Sequence, residues 1–549
     1  MTEALGRMSL RAKVAQLVFP PVYGDGRNRD EALDLAGAGV GGFVFYEGVS
    51  PAATAELVAA LREASEPTGL PLVIAADQEN GAGQVVQGAT ELPPQMAFAA
   101  AGSAQLMYEA ARNAGREGRA MGFDLNCGPV ADFTCPEVGP VEGGRSFGGD
   151  LRLMGAMLEA TVRGYNDGGM RTTAKHFPSR GGVKPGPEQP WWCWIDKPAD
   201  VVDAEDFAAF RLAITAGVDF VMTEHIAVPS ITGDWEPASV SHALVTGQLR
   251  QRLGFRGVIT SDDLWYPEVC ARFGDEEVAV LALLAGHDTL LKPKDPLAAI
   301  EHILGAIAEG RLSEERIDES LSRLAAFKAK LVDRPAVCPD EAARTAGATE
   351  HWAVAQRVAD QAVTVMENRD GILPLSPERF AQAGKLMLIS IAKRVGDPLP
   401  ATVEDEVRRM LPDVPLAATT LTVEEGLDEA AASELIEAAR AAGTVLLSAS
   451  VQRNRLGDPA PLGSLKTFAQ RLTEVCDVIL VSHGNPYLVA ALPKVAAGLT
   501  SWGEGGWFGN RALSIASMLR VVLGDLAPSG KLPVAVGPYP SGHGLTWEV

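Results

Sequence analysis

The chain has 549 residues, which is too long for one ordinary hydrophobic core and predicts about two to four domains, with two as the simplest division. Hydrophobic residues make up 47% of the chain and charged residues 21%, a balance that is typical of packed globular proteins and not of disordered ones. The 48 Lys and Arg residues stand against 70 Asp and Glu, and the net charge of −22 disfavours nucleic acid and anionic membranes as partners.

The cysteines and the N-terminal segment bear on cellular location. The six cysteines occur singly, with no CxxC pair and no spacing that predicts a zinc site. The opening "MTEALGRMSLRAKVAQLVF" lacks a basic segment followed by an apolar core, and eighteen apolar residues nowhere run uninterrupted. We therefore expect a reduced, cytoplasmic protein, with export by an unusual route left open.

The first 335 residues alternate short apolar runs with Ala-rich stretches. In chain order they include "VGGFVFYEG", the helical "PAATAELVAALREASE", "LPLVIAADQE", "MRTTAKHF", "VDFVMTEHI", "FRGVITSDDL" and "HDTLLK". Strand, helix and strand at this spacing predict parallel β/α units. The fold class expected for residues 1–335 is an α/β protein with a (β/α)8 barrel of the TIM type.

Polar side chains follow five of these apolar runs at the point where each run ends. In a (β/α)8 barrel the carboxyl ends of the strands converge on one face, which is the face where active sites form. Polar residues end many strands, but five convergent cases favour a site. The positions are Asp77, Asp132, Lys175 with His176, Glu224 with His225, and Asp262.

The rest of the chain predicts a second α/β domain. Residues 336–370 contain prolines, a helix and a strand, and are expected to form a linker and helix. The strand candidates "KLMLISIA", "GTVLLSASV", "DVILVSHGNP" and "AGLTSW" then alternate with helices over residues 371–549. This pattern predicts a C-terminal α/β sandwich domain, built as a doubly wound sheet.

Asp262, in "GVITSDDL", is the candidate nucleophile. A retaining glycosidase needs one carboxylate that forms a glycosyl-enzyme and a proton donor about 5 Å away that serves the leaving oxygen. An Asp that closes an apolar strand is held rigidly enough for the first task. The alternative is that it only caps the helix that follows.

Ordered motifs along nearly the whole chain resemble glycoside hydrolase family 3. They are "MSLRAKVAQLVF", "ADQENG", "NCGPVADF" with "GGRSFGGD", "TTAKHFPSRGG", "VMTEHIAVP" and "GVITSDDL", followed by "AVTVMENRDGILPL", "VSHGNPYLV" and "LGDLAPSGKLPV". The resemblance implies that Asp262 is the nucleophile. It also implies that Asp77, Arg145, Lys175 and His176 hold the hydroxyls of the terminal sugar, with His225 in the same substrate-binding set.

Physical chemistry agrees with these residue types, because Asp accepts from hydroxyls while Lys and Arg donate to oxygens near a developing charge. For Arg145 and Lys175 the alternative is salt bridging across the barrel mouth. For Asp132 we expect only the ordering of its own loop.

The segment "KHFPSRGGVKPGPEQPWWCW" departs from the family pattern. In the β-N-acetylglucosaminidase branch of the family, Gly-His-Gly leads to an Asp-Ser-His in which His is the general acid/base and Asp orients it. Here the chain reads Ser179, Arg180 and Gly181, and counting from Lys175 places Glu188 where the catalytic His would be. Alignment at "IDKP" instead places Glu188 on the Asp, so the usual dyad is absent either way.

Two carboxylates are candidates for the missing acid/base. A Glu from the second domain, as in the β-glucosidase branch, is not expected, because "LLSASVQRNRLGDPAPLGSLKTF" contains none. Glu188, shielded by tryptophans, could have its pKa raised by desolvation, unless it is a solvated loop residue. Glu224 stands where the family usually has a small residue, and it could instead bind sugar or pair with Lys175. Stacking on the sugar, or packing within the loop, is expected of Trp191 and Trp192, with Trp194 nearby.

The sequence thus predicts an exo-acting retaining β-glycosidase that acts on a small glycoside or oligosaccharide with a terminal β-linked N-acetylglucosamine or glucose. One alternative is a phosphorylase, in which Arg180 and Lys184 would suit the attacking phosphate. Another is a sugar-binding protein that has lost proton transfer. No metal and no organic cofactor is expected, because the eight histidines are dispersed and no GxGxxG or GxxxxGK[ST] motif follows a strand.

Overall fold

The structure is a computed structural model, and the chain divides into two compact units. The first comprises the described parts of Met1–Glu91, Met107–Phe133 and Met154–Trp352, and the second those of Leu92–Leu106, Thr134–Leu153 and Ala353–Val549. The described residues are 8–134, 144–185, 193–375, 386–392, 397, 399–422, 429–449, 462–484, 486–492, 494–503 and 511–548.

The first unit contains twelve described strands. In chain order they are β1 (Val18–Phe19), β2 (Pro21–Tyr23), β3 (Gly42–Tyr46), β4 (Val73–Ala76), β5 (Leu125–Asn126), β6 (Arg171–Phe177), β7 (Val183–Pro185), β8 (Cys193–Ile195), β9 (Phe220–Thr223), β10 (Ile226–Ala227), β11 (Val258–Thr260) and β12 (Leu290–Leu291). Seven of them form one parallel sheet in the order β11-β9-β6-β5-β4-β3-β2.

Two further pairings close this sheet into a barrel. Strand β12 pairs in parallel with β1, and β1 is separated from β2 by the single residue Pro20. At the other edge Thr289, just before β12, makes a parallel bridge to Thr260 of β11. Counting β1 and β2 as one stretch, eight parallel stretches close on one another, which confirms the predicted (β/α)8 barrel. Strands β7, β8 and β10 form a separate small sheet.

Helices separate the barrel strands, and several begin at caps that the sequence encodes. Ser50, Asp295 and Ser313 each accept a hydrogen bond from a backbone N–H of the first turn of the helix that follows. The helices up to residue 362 are Leu10–Ala15, Arg29–Gly37, Pro51–Ser65, Gln95–Ala101, Ala104–Met121, Leu151–Asp167, Ala199–Ala204, Asp206–Ala216, Pro229–Thr232, the π-helix Ala243–Arg252, Pro267–Phe273, Glu277–Ala285, Pro296–Ala308, Glu314–Lys328, Pro339–Thr345 and Thr349–Ala362.

The second unit holds a six-stranded sheet in the order β13-β18-β17-β16-β14-β15, in which only β13 pairs antiparallel. This confirms the predicted second α/β domain. Its described strands are β13 (Thr364–Asn368), β14 (Leu386–Ala392), β15 (Leu416–Thr422), β16 (Thr444–Ala449), β17 (Asp477–Ser482) and β18 (Ala497–Thr500), and its later helices are Leu399–Met410, Glu429–Ala442, Leu462–Thr473, Tyr487–Ala491 and Arg511–Leu523.

Strand β15 was not predicted, because its "LAATTLT" sequence carries few large apolar residues and lies half-exposed at the edge of the sheet. No helix in the part of the chain that the structure describes has the length and apolar character needed to cross a membrane.

Buried aspartates sit at the amino ends of two barrel strands. Asp124, before β5, accepts a hydrogen bond from the backbone N–H of Ile74, and Asp288, before β12, accepts one from that of Ile259. Each carboxylate is fully buried and is surrounded by arginine side chains. The amino face of a (β/α)8 barrel is the face associated with stability, so these clusters hold the barrel together from the end away from the site.

Lys328 predicts a pH dependence of stability. Its ammonium group is buried and donates to Gln16 Oε1 (2.6 Å) and to the carbonyl of Gly41 (2.9 Å), and burial lowers its pKa from 10.5 to about 7. Between these two values the unfolded chain binds more protons, so this residue makes the free energy of unfolding rise with pH from about 7 to about 10, by at most ~1.4 kcal/mol per pH unit. We expect the Lys328→Met variant to lack this rise. The free energy of unfolding in urea of the wild type minus that of the variant, measured at each pH, should therefore increase with pH over this range. A pH-independent difference would contradict it.

Candidate active site

The polar ends of the barrel strands come together at the carboxyl face, beginning with Lys175. Its Nζ lies 2.6 Å from Asp77 Oδ1 and 2.6 Å from Glu79 Oε1. The side chain of Asp77 is 30% exposed, whereas that of Glu79 is 1% exposed. Glu79 therefore anchors the lysine, while Asp77 faces the open part of the site. Sequence reasoning missed Glu79, although it stands two residues after Asp77, the spacing that puts side chains on one face of an extended segment.

His176 is fixed by Asp132. The His176 Nδ1 lies 2.9 Å from Asp132 Oδ2, and Asp132 Oδ1 accepts the backbone N–H groups of His176 (2.9 Å) and Arg180 (3.0 Å). The expectation that Asp132 orders its own loop was wrong, because these bonds run to the end of β6 and to the loop that follows it. The carboxylate shapes that loop and sets the orientation of the imidazole.

Arg180 connects two carboxylates that come from different strands. Its guanidinium forms an ion pair with Glu224 through Nε and Nη2, and Nη2 also lies 2.9 Å from Asp262 Oδ2. Both Arg180 and Glu224 are 5% exposed. The sequence singled out Arg180 only as a possible phosphate ligand. Among the described residues, Glu224 pairs with this arginine and not with Lys175.

Asp262 follows β11 and has both carboxylate oxygens engaged. Oδ1 accepts the backbone N–H of Asp263 (2.7 Å), and Oδ2 accepts from Arg180. A ring nitrogen of His176 and one carboxylate oxygen each of Glu224 and Asp262 lie within 4.8 Å of one another. The five strand ends that were predicted to converge are therefore joined by one continuous set of contacts.

His225 supports the loop that carries Asp262. Its Nε2 lies 3.0 Å from the carbonyl oxygen of Asp263, and its Nδ1 lies 2.7 Å from Ser239 Oγ. A carbonyl only accepts, so Nε2 carries a proton and the ring is held at both nitrogens. Asp263 in turn pairs with Lys292 at 2.5 Å. These contacts favour a positioning role for His225, and its predicted contact with substrate stays a prediction.

Two further ionisable groups near the site stay neutral at neutral pH. Burial, followed by the negative charge of Asp77, raises the pKa of Tyr46 well above its usual value. The same two causes raise the pKa of Cys127. In this neutral form neither side chain is a strong nucleophile.

Comparison with known proteins identifies the family. The model of the glycosyl hydrolase family 3 N terminal domain matches residues 9–327. The chain belongs to glycosyl hydrolase family 3. A protein of Cellulomonas fimi named β-N-acetylglucosaminidase/β-glucosidase is 31% identical over 322 residues, which cover 57% of this chain and 57% of that protein. A β-hexosaminidase of Xylella fastidiosa is 36% identical over 222 residues, covering 39% of this chain and 64% of that protein.

Solved structures of the family show the same fold over nearly the whole chain. A β-N-acetylglucosaminidase of this family from Paenibacillus sp. has a TM-score of 0.81 and 28% identity, covering 96% of this chain and 99% of the other. A β-glucoside phosphorylase, BglX bound to 2FGlc, has a TM-score of 0.83 and 21% identity, covering 97% and 95%. The second likeness concerns the fold alone.

The remaining predicted site residues lie in the second unit or outside the described residues. Arg145 lies in the second unit and is half-buried, so its predicted role toward the sugar stays a prediction. The predicted acid Glu188 and the stacking residues Trp191 and Trp192 lie outside the described residues, as does most of the segment "LLSASVQRNRLGDPAPLGSLKTF". Trp194, on β8, packs edge to face against Trp235 with ring centroids 4.9 Å apart.

Proposed function

We propose that this family member is an exo-acting retaining β-glycosidase that removes a terminal β-linked N-acetylglucosamine or glucose through a covalent glycosyl-Asp262 intermediate. The observation that carries the proposal is the Asp262 carboxylate, which ends a barrel strand, is held at both oxygens and lies beside the sugar-binding set. The names of the Cellulomonas fimi and Paenibacillus relatives support the two sugars. The family resemblance, which implies that Asp262 is the nucleophile, supports the retaining mechanism.

The contacts of Asp262 suit nucleophilic attack. Two donors, the N–H of Asp263 and the guanidinium of Arg180, stabilise the ionised carboxylate and fix its plane. In the first step a carboxylate oxygen forms a bond to the anomeric carbon, the glycosidic C–O bond breaks, and the leaving oxygen takes a proton from the acid. In the second step water attacks the same carbon, gives its proton to the conjugate base and releases Asp262.

The rest of the set suits the hydroxyls of a terminal sugar. Asp77 offers exposed carboxylate oxygens as acceptors, and Lys175 offers an ammonium group that is held in place from below by the buried Glu79. His176, oriented by Asp132, adds an imidazole to the set. The proposal that this set binds the sugar rests on those donor and acceptor types.

We propose Glu188 as the general acid/base. Replacing it by Gln removes the proton donor, so turnover of substrates with poor leaving groups, such as alkyl glycosides, should fall about 100-fold or more, the lower end of the range for general acid catalysis. The leaving group of a 2,4-dinitrophenyl glycoside needs little protonation, so the rate at which this substrate glycosylates the enzyme should change less than threefold. The initial burst of dinitrophenol measures that step. Equal losses on both substrates would contradict the assignment.

A panel of nitrophenyl β-glycosides tests the function itself. We expect release of nitrophenol from the N-acetylglucosaminide or the glucoside, with free sugar as product and no dependence on phosphate. Formation of a glycosyl phosphate, with a rate that rises with phosphate concentration, would contradict the hydrolase hypothesis and support the phosphorylase. Saturable binding of a sugar without turnover of any glycoside would replace it by the sugar-binding protein.

We also propose a cytoplasmic setting. Among the cysteines that the structure describes, Cys127, Cys270, Cys338 and Cys476 are free thiols. Free thiols are typical of proteins in reducing compartments, and this supports the proposal.

A further inference from the structure

Two departures from the family's motifs meet at the nucleophile. Arg180 stands where the acetylglucosaminidase branch has the His of Gly-His-Gly, and Glu224 stands where the family usually has a small residue. They lie 44 residues apart in sequence, yet they form an ion pair with each other, and Arg180 also contacts Asp262. We propose that Arg180 and Glu224 act as one positioning unit that keeps Asp262 ionised and oriented, so that Glu224 is not the proton donor. This inference rests on the proposed function.

The unit is buried and has a defined charge. The side chains of Arg180, Glu224 and Asp262 are 6%, 7% and 15% exposed. One cation between two carboxylates leaves a net charge of −1. Without the arginine, two carboxylates with oxygens within 4.8 Å would share a proton, because like charges this close in a partly buried site raise the pKa of one of them.

Glu224 has a corresponding effect on Arg180. If the arginine paired with Asp262 alone, it would neutralise the nucleophile's charge, and the ion pair would have to loosen before attack. Glu224 holds the guanidinium through Nε and Nη2, so the Nη2 group that reaches Asp262 is shared between the two carboxylates. The planar fork of an arginine suits this shared geometry, whereas the point charge of a lysine does not.

Backbone contacts hold both partners in place. The N–H of Arg180 donates to Asp132 Oδ1, and the N–H of Glu224 donates to the carbonyl of Phe177 (2.7 Å). Glu224 Oε1 accepts the N–H of His225 at 2.8 Å, so both carboxylate oxygens of Glu224 accept hydrogen bonds. A general acid must arrive protonated, and these donors all stabilise the charged form. The geometry therefore disfavours Glu224 as the acid.

The pH profile of the reaction tests the unit. The charged and titratable groups that face Asp262 come from several elements, and those in the described residues are Tyr46, Asp77, Glu79, Cys127, Asp132, Lys175, His176, Arg180, Glu224, His225, Asp263 and Lys292. All of these groups except Arg180 and Glu224 are the same in every variant described below. Differences between the pH profiles therefore report on Arg180 and Glu224.

The first experiment compares kcat/KM against pH for a 2,4-dinitrophenyl glycoside in the wild type, Arg180→Met, Glu224→Gln and the double variant. We expect Arg180→Met to lower kcat/KM about 100-fold and to move the acid limb up by at least about one pH unit, since Glu224 and Asp262 then share a proton. In the double variant the limb should move back toward the wild type, because the second carboxylate is gone. A limb that stays in place in Arg180→Met, or does not return in the double variant, would overturn the proposal.

The second experiment separates positioning from proton donation. We expect Glu224→Gln to slow glycosylation by a similar factor for dinitrophenyl and alkyl leaving groups. A loss confined to the alkyl glycoside would make Glu224 the acid and overturn the inference. Arg180→Lys, which keeps the charge, provides the conservative variant if Arg180→Met does not fold, and it should retain the acid limb with reduced kcat.

The inference and the proposed function fail in different ways. If Asp262→Asn keeps its activity, the proposed function is wrong whatever the pair does. If Asp262→Asn is inactive while the Arg180 and Glu224 variants leave the pH profile unchanged, only the inference about the pair is wrong.

Discussion

Asp262→Asn is expected to lower kcat/KM on an aryl β-glycoside by about 10,000-fold, equivalent to about 5 kcal/mol of transition-state stabilisation. The amide keeps the size of the side chain and its bond from Asp263 N–H, but it cannot form the glycosyl ester. An activated leaving group makes the measurement independent of the acid/base. The loss should therefore be equally large on dinitrophenyl and nitrophenyl substrates.

A matched control is available in Asp275→Asn. Asp275 is a surface carboxylate that pairs with Lys294, and surface pairs contribute little. This variant should keep wild-type kcat/KM within a factor of two. A loss of less than tenfold in Asp262→Asn, with an unchanged fold by circular dichroism, would show that another group is the nucleophile.

Asp288→Ala is expected to have the largest effect on stability. The carboxylate is fully buried and lies 2.6 Å from Arg250 Nη2 and 2.8 Å from Arg323 Nη1. It also accepts the backbone N–H of Ile259, in the neighbouring strand β11. Removing it leaves partly buried guanidinium groups without their counter charge. We expect the free energy of unfolding to fall by roughly 3–5 kcal/mol.

Urea unfolding of the wild type and the variant, followed by far-ultraviolet circular dichroism, measures this loss. Asp318→Ala is the control, because its carboxylate is 51% exposed and pairs with Lys13 on the surface, so its removal should cost less than about 1 kcal/mol. Equal losses in the two variants would show that the buried cluster does not hold the barrel end.

The parts of the fold that the sequence predicted follow from local patterns. Apolar runs such as "LPLVIAADQE" and "VDFVMTEHI" became the buried strands β4 and β9, and the alternation of strands with helices determined the barrel. Because parallel strands end on one face, Lys175 and Asp262 could be placed in one site before any contact was known. The edge strand β15 escaped prediction because its pattern is weak.

The parts that escaped prediction depend on pairings between distant residues. Nothing local shows that Asp132 contacts the loop after β6, or that Arg180 reaches Asp262, 82 positions further along the chain. Glu224 was singled out for its place at a strand end and its departure from the family pattern, and neither feature predicted that a guanidinium pairs with it. A residue's type can be read from sequence, whereas the charge that faces it depends on the fold.

The proposed covalent intermediate is the part of the mechanism that can be tested most directly. The protein would be incubated with 2-deoxy-2-fluoro-β-D-glucosyl fluoride and with the corresponding 5-fluoro-N-acetylglucosaminyl fluoride, then digested and its peptides mapped by mass spectrometry. We predict one fluoroglycosyl adduct, on Asp262, that is absent from Asp262→Asn. An adduct on another carboxylate would contradict a glycosyl-Asp262 mechanism. So would the absence of any adduct and of any inactivation in an enzyme that turns over the corresponding nitrophenyl glycoside.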